Sequence, residues 1–167
     1  MTISEKIGTC WTNRSPTDRA AVVLTSGFGV GFIPIAPATF GSLWGIPLFL
    51  LTQGLPILLQ VILLLIAFFV AIALADRGEA IARHADPSFV IVDEIVGMWI
   101  TLFLCWRTDW AALITAFLLF RFFDIVKVYP IRLFEQFRGG LGIVMDDVAA
   151  GMVANTVLRL ILVSGIL

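Results

Sequence analysis

From Leu55 to Ala75 the chain runs through about twenty-one residues carrying a single polar side chain, Gln60. A helix of that length rises about 30 Å, which matches the hydrocarbon thickness of a bilayer. The composition says the same of the whole chain. Of its 167 residues, 60% are hydrophobic and 14% charged, where soluble domains average about 45–50% and about 25%. The sequence therefore predicts an all-α polytopic membrane helix bundle of about four to five spans. A formal charge of −1 supplies no basic stripe for nucleic acid. Two cysteines, Cys10 and Cys105, make neither a metal cluster nor a disulfide framework.

Residues 1–19 read as a polar cytoplasmic tail, and residues 20–167 as one transmembrane domain. Between Ala20 and Thr52 the apolar sequence is interrupted by Gly27, Gly29, Gly31, Pro34, Pro37, Gly41, Gly45 and Pro47. Such a stretch predicts a broken or re-entrant first segment: a short helical piece, a turn near Pro34–Thr39, and a second helix from about Gly41. Further spans are expected over 55–75, 88–106, 110–125 and 146–167, with a charged loop at Asp76–Pro87 and a polar connector over 128–142. Basic residues set the orientation. Lys6, Arg14 and Arg19, then Arg77 and Arg83, then Lys127, Arg132 and Arg138 all fall on the cytoplasmic side. Arg159, inside the last span, has no evident partner in this scheme.

With that topology every carboxylate of interest gathers near one membrane face. Asp93 and Glu94 lie five to six residues into the span expected from Ser88, too deep for helix capping. Either they pair with an arginine of another helix, or they supply oxygen ligands or an acid to chemistry. Asp146 and Asp147 follow the glycine-rich run Gly139-Gly140-Leu141-Gly142 and are expected to open the last helix. There they would complement its dipole, or face a phosphate across a divalent cation with the glycine amides nearby. Neighbouring helical positions differ by about 100° in direction, so one of the two should face a metal, and Asp147 is preferred. Arg121, Asp124 and Lys127 recur every three residues and form either an ion-pair ladder or a phosphate-binding face with Asp124 as a ligand. Thr39 and Ser42 read as helix caps or as hydroxyls on phosphate. His84, the only histidine, reads as a solvated side chain.

Four stretches together resemble the phosphatidylglycerophosphatase A family of bacterial inner-membrane lipid phosphatases. They are Gly31–Leu43 (GFIPIAPATFGSL), Asp93–Ile100 (DEIVGMWI), Phe120–Lys127 (FRFFDIVK) with Pro130-Ile131-Arg132, and Gly139–Gly151 (GGLGIVMDDVAAG). The chain has Ala38 and Val128 where the family usually has glycine and proline. The resemblance implies a multi-pass enzyme of the bacterial inner membrane with its site facing the cytoplasm. It would remove, with Mg²⁺, the terminal phosphate of the phospholipid phosphatidylglycerophosphate to give phosphatidylglycerol. Asp93, Glu94, Asp124, Asp146 and Asp147 would form the catalytic pool, with Asp93, Glu94, Asp124 and Asp147 on the metal. Thr39, Ser42, Arg121 and Lys127 would bind phosphate. One histidine cannot make a histidine-nucleophile lipid phosphatase, and no Cys-x₅-Arg loop is present. Water or a carboxylate remain as nucleophiles. The rival classes are a small ion-coupled transporter, which predicts mid-bilayer acids and paired broken helices, and a non-catalytic assembly subunit whose acids only pair with arginines.

Overall fold

The computed structural model describes residues 14–127, 129, 131 and 137–165. The polar tail up to residue 13, with Lys6 and Cys10, lies outside the described residues, as do Val128, Pro130, Arg132 and the rest of the 132–136 connector. Six α-helices and one 3-10 turn make up the described chain, with no strand among the described residues. Two of the helices, Ile57–Ala82 and Gly140–Ser164, are long and apolar enough to cross a membrane.

The first segment is broken, as its glycines and prolines require. Helix α1 (Pro16–Thr25) starts with Pro16 in its first turn, and the Ser15 hydroxyl accepts the Asp18 N–H at 3.2 Å. It ends in a tight turn where Gly27, Phe28 and Gly29 all take positive φ, followed by the 3-10 turn Val30–Phe32. Helix α2 (Pro37–Thr52) begins at Pro37, four residues before the expected Gly41, because a proline suits a first turn where its missing N–H is not needed. Gly41 and Gly45 lie inside α2 and let it close on Ile91 and Met98, where a Cβ would come within 2.8 and 2.7 Å of those side chains.

Helix α3 (Ile57–Ala82) does not stop at Ala75. It continues for seven residues through what reads as a charged loop, and Arg83 closes it in a left-handed conformation. Charge ended the hydropathy signal there but not the helix. Its apolar part is mostly exposed, with Leu58, Leu65, Ile66, Phe69 and Val70 facing outward, a surface that only an apolar environment accommodates.

Helix α4 (Val92–Leu102) is the main correction. The span expected over 88–106 contains a helix of 11 residues, about 16 Å long. Residues Phe89, Val90 and Ile91 are buried but not helical, and the Ile91 N–H bonds to the Thr25 carbonyl at 3.0 Å, tying this segment to the end of α1. The far end of α4 leaves carbonyls without intrahelical donors. Asn155 donates to the Thr101 and Phe103 carbonyls at 2.8 and 2.9 Å, and Arg159 also reaches the Phe103 carbonyl at 2.9 Å. Arg159 is in turn held by Asn155 at 2.9 Å. The arginine without an evident partner in the sequence thus serves the end of a short buried helix, where a cation is favoured by the dipole.

Helix α5 (Trp110–Val126) matches its expected bounds to within a residue and is capped by Asp109, which accepts the Ala112 N–H at 3.3 Å. Helix α6 (Gly140–Ser164) begins six residues earlier than expected. Helix α4 is the centre of the bundle, packed chiefly against α6 and α2. Helices α4 and α6 cross closely, and a Cβ at Gly151 would overlap the Gly97 carbonyl.

Candidate active site

Moving the starts of α4 and α6 exchanges the settings of the two acid pairs. Asp93 and Glu94 are in the first turn of α4, where acids complement the helix dipole. Asp146 and Asp147 are the seventh and eighth residues of α6, about 10 Å along the helix and beyond capping reach. The glycine run before them is helix start and not an anion-binding turn. The Gly140 N–H is not left for a phosphate, because it donates to the Asp76 carboxylate of α3 at 2.6 Å.

The α4–α6 crossing brings the two pairs together. Asp93, Glu94 and Asp147 each offer a carboxylate oxygen, and the three oxygens lie within 4.8 Å of one another. All three residues are buried, at 6%, 9% and 4% exposure. Asp93 Oδ1 and Glu94 Oε2 are buried without a hydrogen-bond partner among the described residues. Buried carboxylates at this separation repel one another strongly and are costly to leave unsatisfied. An oxygen-seeking cation answers both problems, and an all-carboxylate donor set is the chemistry of Mg²⁺ or Ca²⁺ rather than of a thiophilic metal. The residues fit such an ion.

Asp124 reaches the same place from the last turn of α5 and approaches Asp147. Its carboxylate is held by Arg121 at 2.5 Å. Lys127, at the end of α5 with a left-handed backbone, forms an ion pair with Asp146. Asp146 and Asp147 therefore face different partners, a cation and the acid trio. Thr39, Ser42 and Arg121 do not line the cleft that these residues floor. The Ser42 hydroxyl donates to the Ala38 carbonyl at 2.8 Å and stands 3.5 Å from Arg121. Thr39 sits in the first turn of α2. Ser42 and Arg121 lie behind Asp124 and support it.

The cleft has a volume of about 920 Å³. Asp93, Glu94, Asp124, Lys127, Asp146 and Asp147 form one part of its lining. The other part is absent from the sequence-based site: Asp76, Glu79, Arg83, His84, Asp86 and Arg138. Treating Asp76–Pro87 as a loop hides all of these but Arg138, which lies in the connector. Asp76, Glu79 and Arg83 recur every three to four residues, and that helical spacing is the available signal. Gly97 serves the packing of helices. The space beside it is filled by the Phe120 ring and the α6 backbone at Asp147, which would stand 2.6 and 2.8 Å from a Cβ at this position. It permits the close crossing of the helices.

Comparison with known proteins adds an independent line. A family model described as phosphatidylglycerophosphatase A matches residues 23–162. The chain is 35% identical over 140 residues to an Escherichia coli K12 protein named phosphatidylglycerophosphatase A, covering 83% of this chain and 81% of that one. A Haemophilus influenzae protein of the same name is 38% identical over 134 residues, covering 79% and 82%. A Bacteroides thetaiotaomicron protein provisionally named phosphatidylinositol-3-phosphatase is 42% identical over 139 residues, covering 78% and 86%. No solved structure matches the chain.

Proposed function

The chain belongs to the phosphatidylglycerophosphatase A family, and from that premise we propose that it hydrolyses the terminal phosphate of phosphatidylglycerophosphate at the carboxylate trio. The chain is thus a phosphoric monoester hydrolase acting on a phospholipid. The observation that carries the assignment of the site is the meeting of Asp93, Glu94 and Asp147 in one buried cluster with two unpartnered oxygens. An ion-pairing subunit would present arginines to these acids. Here the described arginine nearby, Arg121, is committed to Asp124.

Asp93, Glu94 and Asp147 would hold Mg²⁺, which when bound neutralises phosphate oxygens and acidifies water. Arg121 holds and aims the Asp124 carboxylate, which suits Asp124 to take a proton from an attacking water or to complete the ligand set. Lys127 stands on the cleft wall with Asp146 beside it, so its ammonium can meet a phosphate oxygen while Asp146 fixes its position. With α4 so short, the trio at its start would lie near the charged ends of α3 and α5 rather than in the middle of an apolar layer.

The same placement supports a topology. Helices α2 to α6 would cross the membrane with the acid-bearing ends on one side, giving five crossings, three of them by helices shorter than eighteen residues. Arg77, Arg83, Lys127 and Arg138 all belong to that side, which the positive-inside rule assigns to the cytoplasm. In a bacterium this is the inner membrane.

The Bacteroides relative makes a phosphoinositide the competing substrate, since a carboxylate-held cation acts on any accessible phosphate monoester. Purified protein in detergent should release phosphate from phosphatidylglycerophosphate at least about tenfold faster than from phosphatidylinositol 3-phosphate, a difference of about 1.4 kcal/mol in transition-state binding. Chelation should abolish release, and added Mg²⁺ should restore it. Faster hydrolysis of the phosphoinositide, or release indifferent to chelator, would overturn the substrate or the metal respectively.

A further inference from the structure

Two described basic side chains differ from the rest. Arg14, Arg77, Arg107, Arg121, Lys127 and Arg159 each have an acidic, carbonyl or amide-oxygen partner, and Arg19 is likewise engaged. Arg83 and Arg138 have no ion pair or hydrogen bond from their side chains among the described residues. Both are exposed, and both line the cleft.

Neither forms an ion pair with the nearby Asp76 or Glu79, whose carboxylates accept backbone N–H groups. The Asp76 carboxylate accepts the Gly140 N–H at 2.6 Å, and Glu79 accepts the Asp86 N–H at 3.0 Å. These bonds tie the end of α3 to the start of α6 and to the loop after it. They also set the two arginines on one wall: Gly139, next to Arg138, packs against Asp76 and Glu79, and Glu79 is one turn before Arg83. Arg83 holds a left-handed backbone, φ 59°, at a helix end where glycine is the usual residue. A bulky side chain kept at such a position invites a functional reason.

Resting on the reading above, we infer that Arg83 and Arg138 form an anion-binding rim that takes the second phosphate of the substrate, the phosphodiester joining headgroup to diacylglycerol. A lipid carrying both a terminal monoester and a phosphodiester approaches a floor rich in acids, which repels it. Two uncommitted guanidiniums elsewhere in the cleft lining compensate the repulsion, and a guanidinium matches the paired oxygens of a phosphodiester. The rim makes the cleft selective for headgroups with two phosphates over those with one. It grips the part of the lipid that is retained in the product.

The test is steady-state kinetics of the full chain in detergent micelles with phosphatidylglycerophosphate, for wild type, Arg83→Gln, Arg138→Gln and the double variant. Each single change should raise KM about tenfold, the loss of one charge-assisted contact, with kcat within about threefold. Inhibition by the product phosphatidylglycerol, which keeps only the diester, should weaken in parallel. Inhibition by inorganic phosphate, which mimics only the released group, should not change. If KM and product inhibition stay within about twofold in the double variant, the rim does not exist. If inorganic phosphate inhibition weakens as much as KM rises, the arginines bind the reacting phosphate instead, and the inference also fails. A wild type that leaves phosphatidylglycerophosphate intact defeats the functional reading itself, a distinct outcome. Both side chains are exposed, so misfolding is not an expected explanation, and unchanged melting temperatures would confirm that.

Discussion

Replacing Asp147 with asparagine should lower kcat by about 10³-fold or more, the consequence of losing several kcal/mol of metal-borne charge stabilisation at about 1.4 kcal/mol per tenfold. The substitution keeps the shape of the side chain and removes one charge from a buried group of like charges. Without metal, Asp147→Asn should therefore melt at a higher temperature than wild type, because mutual repulsion with Asp93 and Asp124 is relieved. With Mg²⁺ present the wild type should gain stability and the variant should gain much less. Asp146→Asn is the informative contrast. Asp146 is bound to Lys127 rather than to the trio, so its loss should cost about 10- to 100-fold, the range typical of groups that orient active-site residues. Equal losses at both positions would show that the two aspartates are not divided between the two tasks.

The second large effect is structural. At Gly151 an added Cβ would overlap the Gly97 carbonyl, a backbone atom that cannot swing aside. Gly151→Leu should destabilise the protein by about 3 kcal/mol or more, at the upper end of overpacking costs, since α4 and α6 must separate. Activity should fall along with stability, because Asp93 and Glu94 ride on one of these helices and Asp147, one turn from Gly151, on the other. Gly54, where nothing lies within 4 Å of a Cβ, is the control, and Gly54→Ala should leave melting and hydrolysis near wild type. A Gly151→Leu protein with wild-type melting temperature would mean that α4 and α6 cross with room to spare.

Where residue type alone decides, the fold is legible in the sequence. Helix α5 can be read because Asp109 caps it and a run apolar but for Thr115 follows to Phe120. The break before α2 can be read because Pro34 and Pro37 admit few alternatives. Helix starts and stops governed by tertiary partners are another matter. Nothing in Ser88–Ile91 marks it as non-helical, since it is nearly as apolar as the helix after it. Its irregular path comes from the Ile91–Thr25 backbone bond and the stacking of Phe89 on Phe32 at 5.5 Å. Gly139–Gly142 looks like a turn because glycine is a poor helix former. It is helical from Gly140 onward because Asp76 accepts the first amide and only glycine fits against Ile72 and Phe137 there. Arg159 is unreadable because the carbonyl that it serves is 56 positions away. The meeting of the acids at one cleft survives these errors. Sliding a helix start by several residues moves its neighbours along the axis but leaves charged ends on the same side.

The cation site proposed between α4 and α6, with Asp93, Glu94 and Asp147 as its ligands, is tested most directly by binding of Mn²⁺, a spectroscopically visible substitute for Mg²⁺. Electron paramagnetic resonance titration of purified protein in detergent should show a saturable site that Mg²⁺ displaces. Asp93→Asn, Glu94→Gln and Asp147→Asn should each weaken that site by about tenfold or more, while Asp146→Asn and Arg138→Gln leave it within about threefold. A site of unchanged affinity in all three trio variants, or no Mg²⁺-displaceable Mn²⁺ in the wild type, would contradict the account.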